Sequence, residues 1–256
     1  MHAMRTIFGA LCAIGSLSIA TSVQAQVFAG DRGAGCVSIP AGGGNHVVTI
    51  TGAVPVGSAL MLAAGTSKNA TMASPTQVSD NRGNVYTGTM SRIHLDNFDL
   101  RAFTFVAPIT QALQTGDQVT LHYSAADIAG ETSCASASRF DGVDVSTPVM
   151  PILTVGEQTT NATSHSASTG TTTTANLLIY ESVVISGSHG GIGVNPGNPM
   201  SVACNGANNF CVVPAYRIVS SVGNYAITAI TTNPVKATMA MSAYGASPLV
   251  FRDGFE

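Results

Sequence analysis

Ser188-His189-Gly190-Gly191 sets a hydroxyl beside an imidazole and ahead of two glycines whose amides suit an oxyanion hole. That is the raw material of a nucleophilic hydrolase. The surroundings do not complete it. The chain has no G-x-S-x-G turn, and a nucleophile elbow needs a strand–turn–helix that this sequence does not offer. A triad is made by geometry, so a Ser next to a His in sequence is poorly placed to be its partner. The segment reads as a loop, with a hydrolase using His189 and a nearby Ser or Asp as the alternative.

Metal chemistry is the next possibility. His46, His94, His122, His165 and His189 contain no pair at i+2 or i+4. Most of them are expected to face solvent, His122 through the alternation of its own strand. Asp96 with Asp99, and Asp141 with Asp144, have the spacing to hold calcium through carboxylate and backbone oxygens. Capping of turns is the commoner role for such residues. Asp80-Asn81-Arg82-Gly83-Asn84 looks like a calcium loop, but Arg82 stands where a ligand is needed. Paired acids for glycoside hydrolysis are not apparent among Glu131, Glu157, Glu181 and Glu256. Glu181 lies in an apolar run and is expected to point outward beside a buried Tyr180. Tyr86, Tyr216 and Tyr244 are the aromatic candidates for stacking on sugars in a chain without Trp, but buried Tyr with the hydroxyl at a rim is the simpler role.

The cysteines set the compartment. Arg5, an apolar stretch over residues 7–20, and Ser22-Val23-Gln24-Ala25 form a charged, an apolar and a cleavage region in order, the pattern of a signal peptide over residues 1–25. Its removal takes Cys12 and leaves four Cys, an even number that fits disulfides in an exported chain. Cys204 and Cys211 bracket a turn-rich loop, which favours Cys204–Cys211 and therefore Cys36–Cys134. A zinc site is disfavoured by the lack of a second CxxC-like pair and of a His at ligand spacing. The apolar stretch is too short for a transmembrane anchor, and none of that length follows.

These groups must be held by strands. Charged residues are 9% and hydrophobic ones 45% of the chain, with a formal charge of −3, which excludes both the disorder signature and the basic surface that nucleic acid requires. Val119, Leu121 and Tyr123 alternate with Thr120 and His122. Residues 58–64 and 177–185 are continuous apolar runs, as in strands covered on both faces. The Ser/Thr-rich stretch 159–174 reads as an exposed strand and loop, and Asn233-Pro234 as a turn. Val78 to Thr87 reads as a β-hairpin with its turn at Asp80-Asn81-Arg82-Gly83. Short strands separated by turn signals predict an all-β, antiparallel β-sandwich of jelly-roll type. The expected organisation is a single domain over 26–246 with a C-terminal tail over 247–256.

Val78-Ser79-Asp80-Asn81-Arg82-Gly83-Asn84-Val85-Tyr86-Thr87 resembles the V-x-D-x-x-G-N-x-Y-T element of exported bacterial and phage-associated β-sandwich modules. Thr115-Gly116-Asp117-Gln118-Val119-Thr120-Leu121, Phe140-Asp141-Gly142-Val143-Asp144 and Leu177-Leu178-Ile179-Tyr180 are similar to later strands of those modules, so the resemblance covers roughly residues 45–245. It implies a fold and no activity. Such modules often carry Trp in late strands, and this chain has none. The ending Phe251-Arg252-Asp253-Gly254-Phe255-Glu256 is similar to an F-x-D-G-F-E terminus of exported Gram-negative proteins. The expectation is a secreted, periplasmic or surface-exposed protein of a Gram-negative bacterium. It is read as a non-enzymatic binding or envelope-associated module for an extracellular saccharide or surface protein. Nucleic acid is not among the expected partners. No cofactor is expected other than calcium at the acidic turns.

Overall fold

The computed structural model describes residues 24–40, 42–68, 75–95, 98–123, 131–150, 156–206 and 210–247. Among these residues there is no helix, and the sheets are antiparallel. The first half of the chain supplies β1 (Val27–Ile39), β2 (Gly44–Thr49), β3 (Ala59–Lys68), β4 (Pro75–Asp80), β5 (Thr87–Leu95), β6 (Phe98–Pro108), β7 (Gln118–Tyr123) and β8 (Glu131–Asp141). They form a five-stranded sheet, β1-β8-β3-β6-β5, and a three-stranded sheet, β2-β7-β4. The second half supplies β9 (Val143–Met150), β10 (Gly156–Thr171), β11 (Leu177–Ser186), β12 (Ile192–Val194), β13 (Asn198–Pro199), β14 (Ala203–Asn205), β15 (Phe210–Val219) and β16 (Asn224–Ala246). These join in one eight-stranded sheet.

The continuous apolar runs are explained by layers. In β3, Leu60, Leu62 and Ala64 pack with Val48, Val78, Val119 and Leu121 of the three-stranded sheet. Ala59, Met61 and Ala63 point the other way, onto Leu178, Tyr180 and Val184 of β11. At this seam the backbones approach closely. A Cβ on Gly65 would collide with Val184. β11 is covered twice as well. Leu177, Ile179, Val183 and Ile185 belong to a third core with Ala167 of β10 and Ile227 and Ala229 of β16.

That third core exists because β16 bends. Its second half pairs with β11, from Lys236 opposite Ser186 to Gly245 opposite Leu177. Its first half pairs with β12 and with most of β10, whose first residues, Gly156 to Gln158, pair with the second half. The expected turn at Asn233-Pro234 lies inside the strand instead. The β10 register jumps there, from Ala162 opposite Val235 to Ser164 opposite Ile230. A bulge accommodates a proline that has no N–H to give to a ladder. The first half of β16 thus folds over the outer face of β11 and β15. Arg217 of β15 donates to the Ala226 carbonyl at 3.1 Å and lies over the Tyr225 ring, although these segments are not ladder neighbours. The Ser/Thr-rich stretch is correspondingly less exposed than expected. It is largely β10, and His165, Ala167 and Thr169 are buried. Thr169 can enter because its hydroxyl accepts from the Tyr225 N–H at 3.0 Å and donates to the Gly170 carbonyl at 2.7 Å.

The expected hairpin at Val78–Thr87 is a crossover. β4 pairs with β7, whereas β5 pairs with β6, so the turn carries the chain from one sheet to the other. The turn chemistry is as the residues suggest, but its product differs. Asp80 Oδ1 accepts the N–H groups of Arg82 and Asn84, and Oδ2 accepts from Asn84 Nδ2 and the Tyr86 hydroxyl. Gly83 supplies the positive φ of 85°. Buried Asn84 ties the crossover to a second loop: its Oδ1 accepts the N–H groups of Thr110 and Gln111 at 2.9 Å, and its Nδ2 donates to the Gln111 carbonyl. Asp117 accepts from Arg82, Asn81 and the Gln114 N–H. Those bonds, Arg82 first, hold its carboxyl down at about 2.

Both disulfides join residues directly opposite each other on antiparallel strands: Cys36–Cys134 across β1 and β8, and Cys204–Cys211 across β14 and β15.

Candidate functional site

Two of the four acidic candidates meet where β8 turns into β9. Asp141 ends β8 and is clamped. Arg139 Nε and Nη2 donate to its two oxygens at 2.9 and 2.6 Å, and the Ser58 hydroxyl donates to Oδ1 at 2.6 Å. Burial alone would raise this carboxyl; the bonds from Arg139 and Ser58 outweigh it and hold the group below the usual carboxylate range. Asp144, past the Gly142 turn, accepts from the Ser146 N–H at 2.9 Å and hydroxyl at 2.6 Å through Oδ1. A calcium ion at Asp141 would have to displace a bidentate guanidinium, so the acid serves the turn instead. Asp99 is the second residue of β6, opposite His94 and Lys68. Asp96 lies outside the described residues.

Around these acids the surface is concave. An open groove of about 450 Å³ is lined by Val56, Ser58, Ile109, Thr110, Asp144 and Ser146, among others. A shallower one of about 340 Å³ shares Val56 and Ser58 and continues past Arg139 and Asp141 to Gln24. Val56 stands 60% exposed at the rim they share. The Gln24 N–H donates to the Ser247 carbonyl, and the Ser247 N–H to the Gly142 carbonyl, so both ends of the described chain border this surface.

The hydrolase candidate lies in the other half. His189 is buried, and its Nε2 is 3.2 Å from Cys211 Sγ. A disulfide sulfur carries no hydrogen, so the ring nitrogen is the donor. Nδ1 has no partner among the described residues. Ser188 is exposed, and its carbonyl, rather than its hydroxyl, is the atom bonded, accepting from Asn233 Nδ2. Among the described residues, neither Ser188 nor an Asp hydrogen-bonds the His189 ring.

Several buried groups depart from expectation. His46, His165 and His189 are buried rather than solvent-facing, because each strand or loop that carries them lies under another layer. His122 is half-buried between Ser79 Oγ at 2.7 Å and Asn45 Oδ1 at 3.1 Å, bridging β4, β7 and β2. His46 Nδ1 lies 2.8 Å from Ser133 Oγ, which is 2.7 Å from the Tyr123 hydroxyl. This Ser–His pair is fully enclosed, so no substrate reaches it, and burial lowers His46 to about 4. Glu181 is buried, not outward-facing: the folded-back half of β16 covers its side of β11. Neither carboxyl oxygen has a partner among the described residues, and burial pushes its pKa well up. Tyr86 and Tyr244 are committed inside the fold, Tyr86 to Asp80 and Tyr244 by burial, while half-buried Tyr216 stacks on Phe28.

Sequence reasoning missed the meeting of His189 with the Cys204–Cys211 bond. One ligand atom from each of the three residues lies within 4.8 Å of the others. Their spacing along the chain follows no familiar motif, because the loop after β11 returns beside β15 only through its attachment to β16.

No family model, curated protein or solved structure matches this chain.

Proposed function

We propose that the protein is an exported, non-enzymatic β-sandwich of jelly-roll type, related to the bacterial and phage-associated modules that its crossover sequence resembles. Its signal peptide ends at residue 25, and it binds an extracellular partner at the groove beside the β8–β9 turn. The observation that carries this reading is the composition of that groove. Exposed Val56 adjoins the exposed Thr110 and Ser146, while the carboxylates below them are held by internal hydrogen bonds. Committed carboxylates shape a surface; they do not move protons. An apolar spot beside hydroxyls suits a polyhydroxylated ligand, so a saccharide is the first partner class to test. Two disulfides are compatible with an oxidising compartment, and no helix among the described residues is long and apolar enough to cross a membrane.

A glycan array and pull-downs on purified peptidoglycan and lipopolysaccharide test the reading. Binding by the wild type and its loss in Thr110→Arg and Ser146→Arg variants is the expected result. Binding that survives both substitutions removes the groove from the argument. Turnover of an ester, peptide or glycan substrate by the purified protein overturns the non-enzymatic reading.

A further inference from the structure

Cys204–Cys211 differs from an ordinary structural disulfide in what stands next to it. Cys204 is exposed in β14, Cys211 is buried in β15, and the His189 ring closes the third side. His189 owes its position to β16 rather than to the disulfide. Its carbonyl accepts the Asn233 N–H at 3.0 Å, Ser188 accepts from Asn233 Nδ2, and Gly191 and Thr232 exchange bonds at 3.0 and 3.1 Å. Breaking the S–S bond therefore leaves the imidazole in place.

We propose that the disulfide masks a metal site: once it is reduced, Cys204, Cys211 and His189 bind one zinc ion, with a fourth position left for water. The ligand types are those of a Cys₂His zinc centre. The reductant is a dithiol. It gives two electrons and two protons to the S–S bond, leaving two cysteine thiols, and itself becomes a disulfide. Zinc then displaces the two thiol protons. The imidazole binds as the neutral ring, through Nε2, with its proton on Nδ1. Zn–S bonds of about 2.3 Å at a tetrahedral angle set the sulfurs about 3.8 Å apart. The two Cα atoms are 4.1 Å apart on directly opposed residues, so side-chain rotation provides this separation without moving a long strand. β14 has three residues and pairs only with β15 among the described strands. The proposal is independent of the binding groove.

Cobalt(II), a spectroscopic stand-in for zinc, reads the site directly. The full protein is reduced with a phosphine, which does not itself supply thiolate, and titrated with cobalt(II), then with zinc against a chromophoric chelator. One equivalent with a thiolate-to-cobalt charge-transfer band is expected from the reduced protein and none from the oxidised protein. His189→Gln should weaken zinc binding by about tenfold or more, consistent with the sensitivity of metal affinity to its imidazole environment. Cys204→Ser/Cys211→Ser should abolish the band. Absence of the band in the reduced wild type overturns the proposal. So does unchanged affinity in His189→Gln, which would mean thiols acting without the ring. A band persisting in Cys204→Ser/Cys211→Ser would place the metal on Cys36 and Cys134 and also overturn it. Phosphine-reduced wild type checked by circular dichroism separates metal failure from unfolding: a reduced protein that has lost its β signal and binds no cobalt counts against a preformed site.

Discussion

The two halves of the molecule treat their polar groups differently. In the first half, Asp80, Asn84 and Asp117 use their side-chain oxygens on backbone N–H groups and neighbouring side chains, and the disulfide closes a span of 98 residues. In the second half, Glu181 is sealed in with no partner among the described residues, His189 faces a sulfur, and the disulfide closes a span of 7. A satisfied polar network is explained by the stability and uniqueness it gives. A stranded carboxyl and a short cross-link are not well explained that way. The polar network around Asp80, Asn84 and Asp117 therefore marks the fold, whereas Glu181 and His189 are where chemistry beyond folding and beyond the proposed groove is to be sought.

The largest effect should come from the long disulfide. Loop entropy assigns about 4.7 kcal/mol to a span of 98 residues and about 2.4 kcal/mol to a span of 7. Cys36→Ala/Cys134→Ala should lower the unfolding free energy by roughly the larger figure in denaturant titrations. Equal losses from the two pairs would erase the distinction between the halves. His46 comes next. Its folded value of about 4 lies below the ordinary 6.5, so the unfolded chain binds the proton first as pH falls. Stability should therefore decline from about pH 6.5 and be lower by about 3 kcal/mol at pH 4 from this residue alone. His46→Gln should flatten that acid limb; an unchanged limb would assign it elsewhere. Cys204→Ala/Cys211→Ala should cost about 2 kcal/mol and leave the first half's melting behaviour intact. The smallest effect is a gain. Glu181→Leu removes a buried group with no partner among the described residues and should stabilise the protein at pH 7 by about 1–2 kcal/mol. The gain should shrink as pH falls toward 4.5, where the unfolded chain no longer profits from releasing this proton. A loss at pH 7 would mean that the carboxyl has a structural role.

How much of this could be read from residues alone depends on range. Alternation revealed the strands, and the continuous runs at residues 58–64 and 177–185 correctly signalled double coverage, because both properties are carried by neighbouring side chains. The destination of the turn after Val78 was not legible. Asp80 and Gly83 define a local geometry, but whether the next strand joins the same sheet depends on β6 and β7, which come later in the chain. Glu181 failed for the same reason. Nothing near it in sequence announces that β16 will bend at Pro234 and cover its face. Asp144 was legible as a turn-former, since it bonds two residues ahead, whereas the clamp on Asp141 by Ser58 spans two loops far apart in sequence. His189 beside Cys211 required both the bent strand and the loop attached to it.

The placement of the start of β1 and the end of β16 on either side of the β8–β9 turn has a mechanical consequence. Val27 is opposite Asp141 and Ala246 opposite Val143, so both terminal strands flank one turn. A load applied through the start of β1 and the end of β16 acts across the ladders and opens them pair by pair, a geometry of low resistance. On the β1 side the tear runs from Val27 and stops at Cys36, where a covalent bond to Cys134 replaces the next pair. Under tension that disulfide is an arrestor: it lets the edge of the five-stranded sheet yield while keeping the layers behind it closed.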